Sequence, residues 1–164
     1  MTIAEGGCLC SKIRYQVSAP PTHLTVCHCK FCQRATGGAY MVEPIFAKSN
    51  LSILEGTLRT YAHVSEGSGK SVFVHFCEDC GTKIHLSFER FPDAVGIYAG
   101  TFDDPNWYNV APDETKHIFL GVAQKGTIIP AGVKTYERHA RTNDEVPEIS
   151  HVFEHPHAIS MFPH

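Results

Sequence analysis

The chain has 164 residues, 43% of them hydrophobic and 19% charged, with a formal net charge of −3 and an isoelectric point near 6.4. That length suits one domain with a real core. No apolar run approaches the roughly 20 residues of a membrane span, and neither the net charge nor any basic run gives a footprint for nucleic acid or an anionic membrane surface. The opening residues, Met1-Thr2-Ile3-Ala4-Glu5-Gly6-Gly7, lack the basic and then apolar pattern of a secretory signal, so the reducing cytoplasm is the expected compartment.

Short alternating segments follow one another along the chain. Residues 12–18 place Ile13, Tyr15 and Val17 on one face, the period of a half-buried strand. A short helix is expected from about residue 29 to 36, stopped by Gly37-Gly38. Strands are expected at 39–42, 51–54, 57–62 and 71–76, with 66–70 as a hairpin tip. In 82–88, Ile84, Leu86 and Phe88 alternate with Lys83, His85 and Ser87. Further strands are expected at 95–99 and 117–120, with a turn at 103–106 between them. Runs spaced by about 8 to 12 residues and separated by Gly, Pro, Asn and Ser predict a mainly β, antiparallel domain with one short helix.

That domain is expected to span residues 1–140. From residue 141 the composition shifts to Asn, Asp, Glu, Pro and His, so residues 141–164 read as a tail on the surface or partly disordered. His151, His155, His157 and His164 lie in it, but their irregular spacing and proline neighbours favour a solvated tail over a metal site.

The seven cysteines form three tight clusters, Cys8-Leu9-Cys10, Cys27-His28-Cys29-Lys30-Phe31-Cys32 and Cys77-Glu78-Asp79-Cys80. An odd count in a reducing compartment argues against a disulfide framework. Cysteines one or two residues apart can aim their sulfurs at a single tetrahedral ion, and an all-sulfur donor set favours zinc. A structural zinc takes four protein ligands, whereas a catalytic zinc takes three and keeps one position open. Cys8, Cys10, Cys77 and Cys80 then make a closed site, and Gly81 supplies the positive φ that the second knuckle needs. Cys27, Cys29 and Cys32 lie within six residues of one another and can cover only one side of a second ion.

Other pairings stay open, since Cys77 and Cys80 can instead join members of the triplet. The triplet can also be completed by His28, His75 or His85, or by a cysteine of a second subunit. An extended Cys27-His28-Cys29 segment turns the His28 ring to the face opposite the two sulfurs.

The motifs carry a resemblance. Gly7-Cys8-Leu9-Cys10 leading into Ile13-Arg14-Tyr15, Cys27 to Gly37, Phe76-Cys77-Glu78-Asp79-Cys80-Gly81-Thr82, Ala99 to Asp104 and His117-Ile118-Phe119 are together similar to the glutathione-dependent formaldehyde-activating enzyme family, which includes the centromere protein V domain. The resemblance covers roughly residues 5–138. Ser11 stands where many members have glycine, and 124–129 lacks an expected tryptophan.

The resemblance implies a β-tent of small antiparallel sheets with two zinc ions per chain. One would be structural, on Cys8, Cys10, Cys77 and Cys80, and one catalytic, on Cys27, Cys29 and Cys32. It implies a carbon–sulfur lyase or synthase joining glutathione, or a similar thiol, to formaldehyde or another small aldehyde as S-hydroxymethylglutathione. Lys30, Arg34 and Lys83 are candidates to contact the carboxylates of glutathione, and Asp103, Glu43 and His28 to carry a proton. The alternative is a non-catalytic, zinc-stabilised interaction module.

Overall fold

In the computed structural model the described residues are 3–108 and 111–160, so His164 lies outside them. The elements in chain order are β1 (Ala4–Gly7), β2 (Arg14–Val17), β3 (His23–Cys27), α1 (Lys30–Thr36), β4 (Met41–Ala47), β5 (Leu51–Glu55), β6 (Leu58–Val64), β7 (Ser71–Cys77), β8 (Lys83–Phe88), β9 (Ala94–Ile97), β10 (Thr115–Ile118), β11 (Ile128–Ile129), β12 (Lys134–Thr135), β13 (His151–Val152) and β14 (His157–Ala158). Four short 3₁₀ turns join them. The fold is mainly β, with several small sheets and one α-helix. No described helix is long and apolar enough to cross a membrane.

The chain forms two compact units, each assembled from two separate stretches. The first comprises Met1–His23 and Glu43–Asn109. In it β2 pairs with both β1 and β5, and β4, β9, β8, β7 and β6 form an antiparallel series. Alternation in β2 sends Tyr15 and Val17 inward and leaves Arg14 and Gln16 half-buried. Tyr15 and Val17 pack with Ile13, Phe46, Ile84, Val95, Ile97 and Phe102 into the core. Each such side chain contributes about 1.5–3 kcal/mol on burial. The Thr101 hydroxyl donates to the Tyr98 carbonyl at 2.8 Å, so the buried Tyr15 hydroxyl donates to Thr101 Oγ1, also at 2.8 Å. The β7–β8 register slips between His75 and Phe76, with Ile84 the additional residue on β8, just before β7 ends at the buried Cys77.

The second unit comprises Leu24–Val42 and Val110–His164. Its strand β10 runs parallel to both β3 and β12, a departure from the antiparallel expectation. Parallel neighbours need long crossover connections, which alternation along one strand does not reveal. The run expected at 117–120 ends early, because Phe119 is left-handed (φ 63°) and a 3₁₀ turn begins at Leu120. Helix α1 starts where Cys29 caps it, its Sγ accepting from the Cys32 amide at 3.3 Å, and ends at Gly37. Residues 141–160 are exposed for most of their length, yet β13 pairs with β12 and β14 with β11.

Sequence periodicity gave no strand at β1, whose Ala-Glu-Gly-Gly has little β-propensity, nor at the two-residue strands near the C-terminus. Pairing with a neighbour decides those. In the turn after Cys8, Ser11 adopts φ 62°, a left-handed conformation that disfavours any side chain. Ser11→Gly should therefore stabilise the protein by up to about 1 kcal/mol, read as a melting temperature a few degrees higher by calorimetry.

Candidate metal centres

The turn between β1 and β2 carries Cys8 and Cys10, and the turn between β7 and β8 carries Cys77 and Cys80. All four sulfurs lie within 4.8 Å of one another. Cys8 Sγ is 3.5 Å from Cys10 Sγ, which is 3.7 Å from Cys77 Sγ. Zinc–sulfur bonds of about 2.3 Å in a tetrahedron place sulfurs about 3.8 Å apart, so the group fits a zinc ion closely. Backbone and hydroxyl donors support the sulfurs: the Ile13 amide reaches Cys8 Sγ at 3.3 Å, and Thr82 Oγ1 lies 3.1 Å from Cys80 Sγ. That hydroxyl contact is the main cause that draws the Cys80 thiol down to about 5. The two turns also touch through Leu9 N–H to Thr82 Oγ1 (3.2 Å) and an exposed Lys12–Asp79 ion pair (2.7 Å). Such a surface pair contributes little by itself. Gly81, at φ 72°, donates to the Cys77 carbonyl and closes the knuckle.

The second group is local. Cys27 ends β3, Cys29 caps α1 and Cys32 sits in its first turn, with the three sulfurs again within 4.8 Å of one another. Cys27 and Cys32 are buried and Cys29 is half-buried. Hydrogen bonds from the Cys27 and Cys32 thiols draw Cys29 down to about 3. Cys27 is held well above the ordinary thiol range, chiefly through its bond to Cys29, and Cys32 chiefly through Cys27. One negative charge is thus accommodated by two S–H donors, while a second is resisted. A divalent cation among the sulfurs removes that conflict, so this donor set also suits zinc.

Residue 28 is held at all its polar points but one. Its N–H donates to the Ile118 carbonyl (3.0 Å), and its carbonyl accepts from Gln33 Nε2 (2.7 Å). Its ring Nε2 lies 3.0 Å from His117 Nδ1, and its Nδ1 is buried without a partner. His28 is fully buried and, as expected of a ring on the face opposite the two sulfurs, does not join the sulfur group. Burial lowers the basicity of both imidazoles, His117 to about 4 with help from His28, so one proton is shared between two neutral rings. Gln33 also donates to the Val122 carbonyl (2.9 Å) and accepts from Gln124 Nε2 (3.3 Å). Sequence reasoning assigned no role to His117 or Gln33. The apolar run that follows His117, Ile118-Phe119-Leu120, was the available signal for a buried histidine.

The other candidates are occupied elsewhere. Both nitrogens of His75 are engaged, Nδ1 by Thr60 Oγ1 (3.0 Å) and Nε2 by Ser87 Oγ (2.8 Å), and its ring stacks on His85 at 4.1 Å. Asp103 is paired with Arg14 and held below the usual carboxylate range by that guanidinium. Glu43 is buried, its carboxylate lying over Gly96 where any side chain would collide with it. Lys30 and Arg34 are exposed one turn apart on α1, and Lys83 lies in the first unit. Among the described residues only the two sulfur groups gather three or more metal-binding side chains, so His151, His155 and His157 form none.

A mainly β chain carrying one four-sulfur and one three-sulfur group defines a class of protein whose cysteine clusters could each hold a metal ion. Residues 3–121 match the family model of the glutathione-dependent formaldehyde-activating enzyme, and the chain belongs to that family. A curated Halomonas elongata protein, provisionally named a glutathione-dependent formaldehyde-activating enzyme, is 22% identical over 138 residues, covering 73% of this chain and 88% of the relative. A crystal structure of a Rhodobacter sphaeroides protein aligns with a TM-score of 0.49 at 20% identity, over 60% of this chain and 87% of that one.

Burial, then the neighbouring His75, pushes His85 down to about 4. A base whose folded pKa lies below its ordinary value of about 6.5 favours unfolding as the solution is acidified. Its contribution is fully present above pH 6.5 and lost as pH falls toward 4, on the order of 2–3 kcal/mol. His85→Phe should flatten that part of the pH–stability curve relative to the parent protein in urea melts at pH 7, 5.5 and 4.5. Parallel curves would refute the assignment.

Proposed function

We propose that Cys8, Cys10, Cys77 and Cys80 hold a structural zinc ion, that Cys27, Cys29 and Cys32 hold a catalytic one, and that the protein is a carbon–sulfur lyase or synthase. It joins a thiol such as glutathione to a small aldehyde such as formaldehyde. The observation that carries this reading is the inequality of the two sulfur groups: four donors in one, three in the other, with the adjacent His28 ring committed to His117. Family membership and the name of the Halomonas elongata relative support the choice of glutathione and formaldehyde.

Zinc held by Cys27, Cys29 and Cys32 would supply a place for an incoming thiol and the positive charge that lowers a thiol's pKa from about 8.5. Its three anionic ligands make it a weak activator of water, so hydrolysis suits it less. The thiol sulfur attacks the aldehyde carbon and a C–S bond forms. The C=O π electrons move to oxygen, which takes the proton the thiol released. Thiol and aldehyde sum to the hydroxyalkyl thioether without any oxidant or reductant. The protein's residues hold the sulfur triplet fixed: the cap at Cys29, the helix behind Cys32 and the Gln33 amide bound to the His28 carbonyl all act before substrate arrives. Lys30 and Arg34, exposed on α1, are available to pair with substrate carboxylates.

Zinc content should be two ions per chain, and X-ray absorption should register an added sulfur on one of them when glutathione is supplied. An unchanged sulfur count with glutathione and other small thiols would sink the thiol mechanism in favour of a purely structural, partner-binding module. Structural zinc supplies folding energy directly. Cys80→Ser should therefore unfold the protein or lower its melting temperature sharply, whereas Cys29→Ser should abolish activity and release one zinc while the fold persists. Equal losses of stability would count against the division of roles.

A further inference from the structure

An imidazole is among the best zinc ligands, and His28 stands in the chain between two of the three clustered cysteines. Its ring is 0% exposed, its Nδ1 has no hydrogen-bond partner, and its Nε2 is engaged by His117 Nδ1 at 3.0 Å. The Tyr40 ring packs against it with centroids 5.2 Å apart. His117 is itself buried on β10, whose next residue, Ile118, accepts the His28 amide. Backbone and ring of residue 28 are thus anchored to the same strand.

We propose that His117 is a positioning residue that holds the His28 imidazole off the Cys27, Cys29 and Cys32 sulfurs and so keeps the fourth ligand place for substrate. The proposal rests on the thiol-binding reading given above. Without His117, neither nitrogen of a buried imidazole has a hydrogen-bond partner, a costly arrangement. Because residue 28 lies between Cys27 and Cys29 in the chain, the cation expected among the three sulfurs is then the strongest partner within reach of a reoriented ring for a nitrogen lone pair. A ring that turns to it closes the site with a protein ligand, converting a site of the catalytic pattern into one of the structural pattern. Asparagine at 117 presents a polar side-chain atom where histidine has Nδ1, so it keeps a partner for His28 Nε2, while leucine fills similar space with none.

The test uses the full chain loaded with cobalt(II), whose sulfur charge-transfer bands report each added thiolate, titrated with glutathione. The four-sulfur group contributes a constant background, and its bands together with the melting temperature monitor the fold. The parent protein should gain charge-transfer intensity as glutathione is added, and a parent that does not respond overturns the thiol reading itself. Given a responding parent, His117→Leu should shift the midpoint to at least tenfold higher glutathione and alter the cobalt d–d bands before any thiol is added. His117→Asn should stay within about threefold of the parent. His28→Ala combined with His117→Leu should recover the parent midpoint, because no imidazole is left to close the site.

A His117→Leu midpoint equal to the parent's overturns the proposal. So does a double variant as impaired as His117→Leu, which would mark general damage to the turn. If His117→Leu does not fold, His28→Ala alone decides: thiol binding within threefold of the parent upholds the role of His28 as a group to be kept away, and a tenfold loss overturns it.

Discussion

Repulsion between closely packed sulfurs is the constraint that both cysteine groups must meet. Two unit charges separated by the 3.5–3.7 Å seen between cysteines of the four-sulfur group repel by about 4 kcal/mol or more at an effective dielectric of about 20. No fold gathers seven cysteines into two such groups by apolar packing alone. The thiol chemistry of the triplet displays the conflict, with Cys29 drawn far down while Cys27 and Cys32 are pushed up. A divalent cation, if bound as proposed, would turn that repulsion into attraction, and the strands and turns are the scaffold that delivers each sulfur.

The two groups solve the delivery problem differently. The four-sulfur group draws on two turns nearly seventy residues apart, so its formation depends on the whole antiparallel series between them. A sulfur lost there is a loss to the first unit's packing, since Cys8 and Cys77 belong to its core. The triplet is assembled from one strand end and one helix start, with the cap and the Gln33 amide immobilising the turn and the His28 ring paired with His117. A group assembled that locally can change its ligands without dismantling a fold, which is the condition a substrate-accepting site needs.

Much of the site was legible from spacing. Cysteines one or two residues apart predicted clustered sulfur groups, and in the structure they gather as four and three, the division that reach favoured among those left open. The helix beginning in the triplet and the strands from 51 to 88 followed from periodicity and glycine punctuation. Other features were not legible because their cause lies in distant residues. The parallel pairing of β10 depends on long crossovers, and β1 is a strand only because β2 binds it. Asp103 read as a possible proton carrier but is committed to Arg14, a partner 89 residues away.

What the sequence by itself determined was the number, type and local spacing of the sulfur donors, because two-residue reach along a backbone is set by covalent geometry. Family membership followed from those same motifs. The tertiary structure alone decided which knuckle meets which, and that the histidine lodged among the cysteines is buried against a histidine 89 residues away. Those outcomes depend on burial and on pairings between remote strands, which local spacing does not encode.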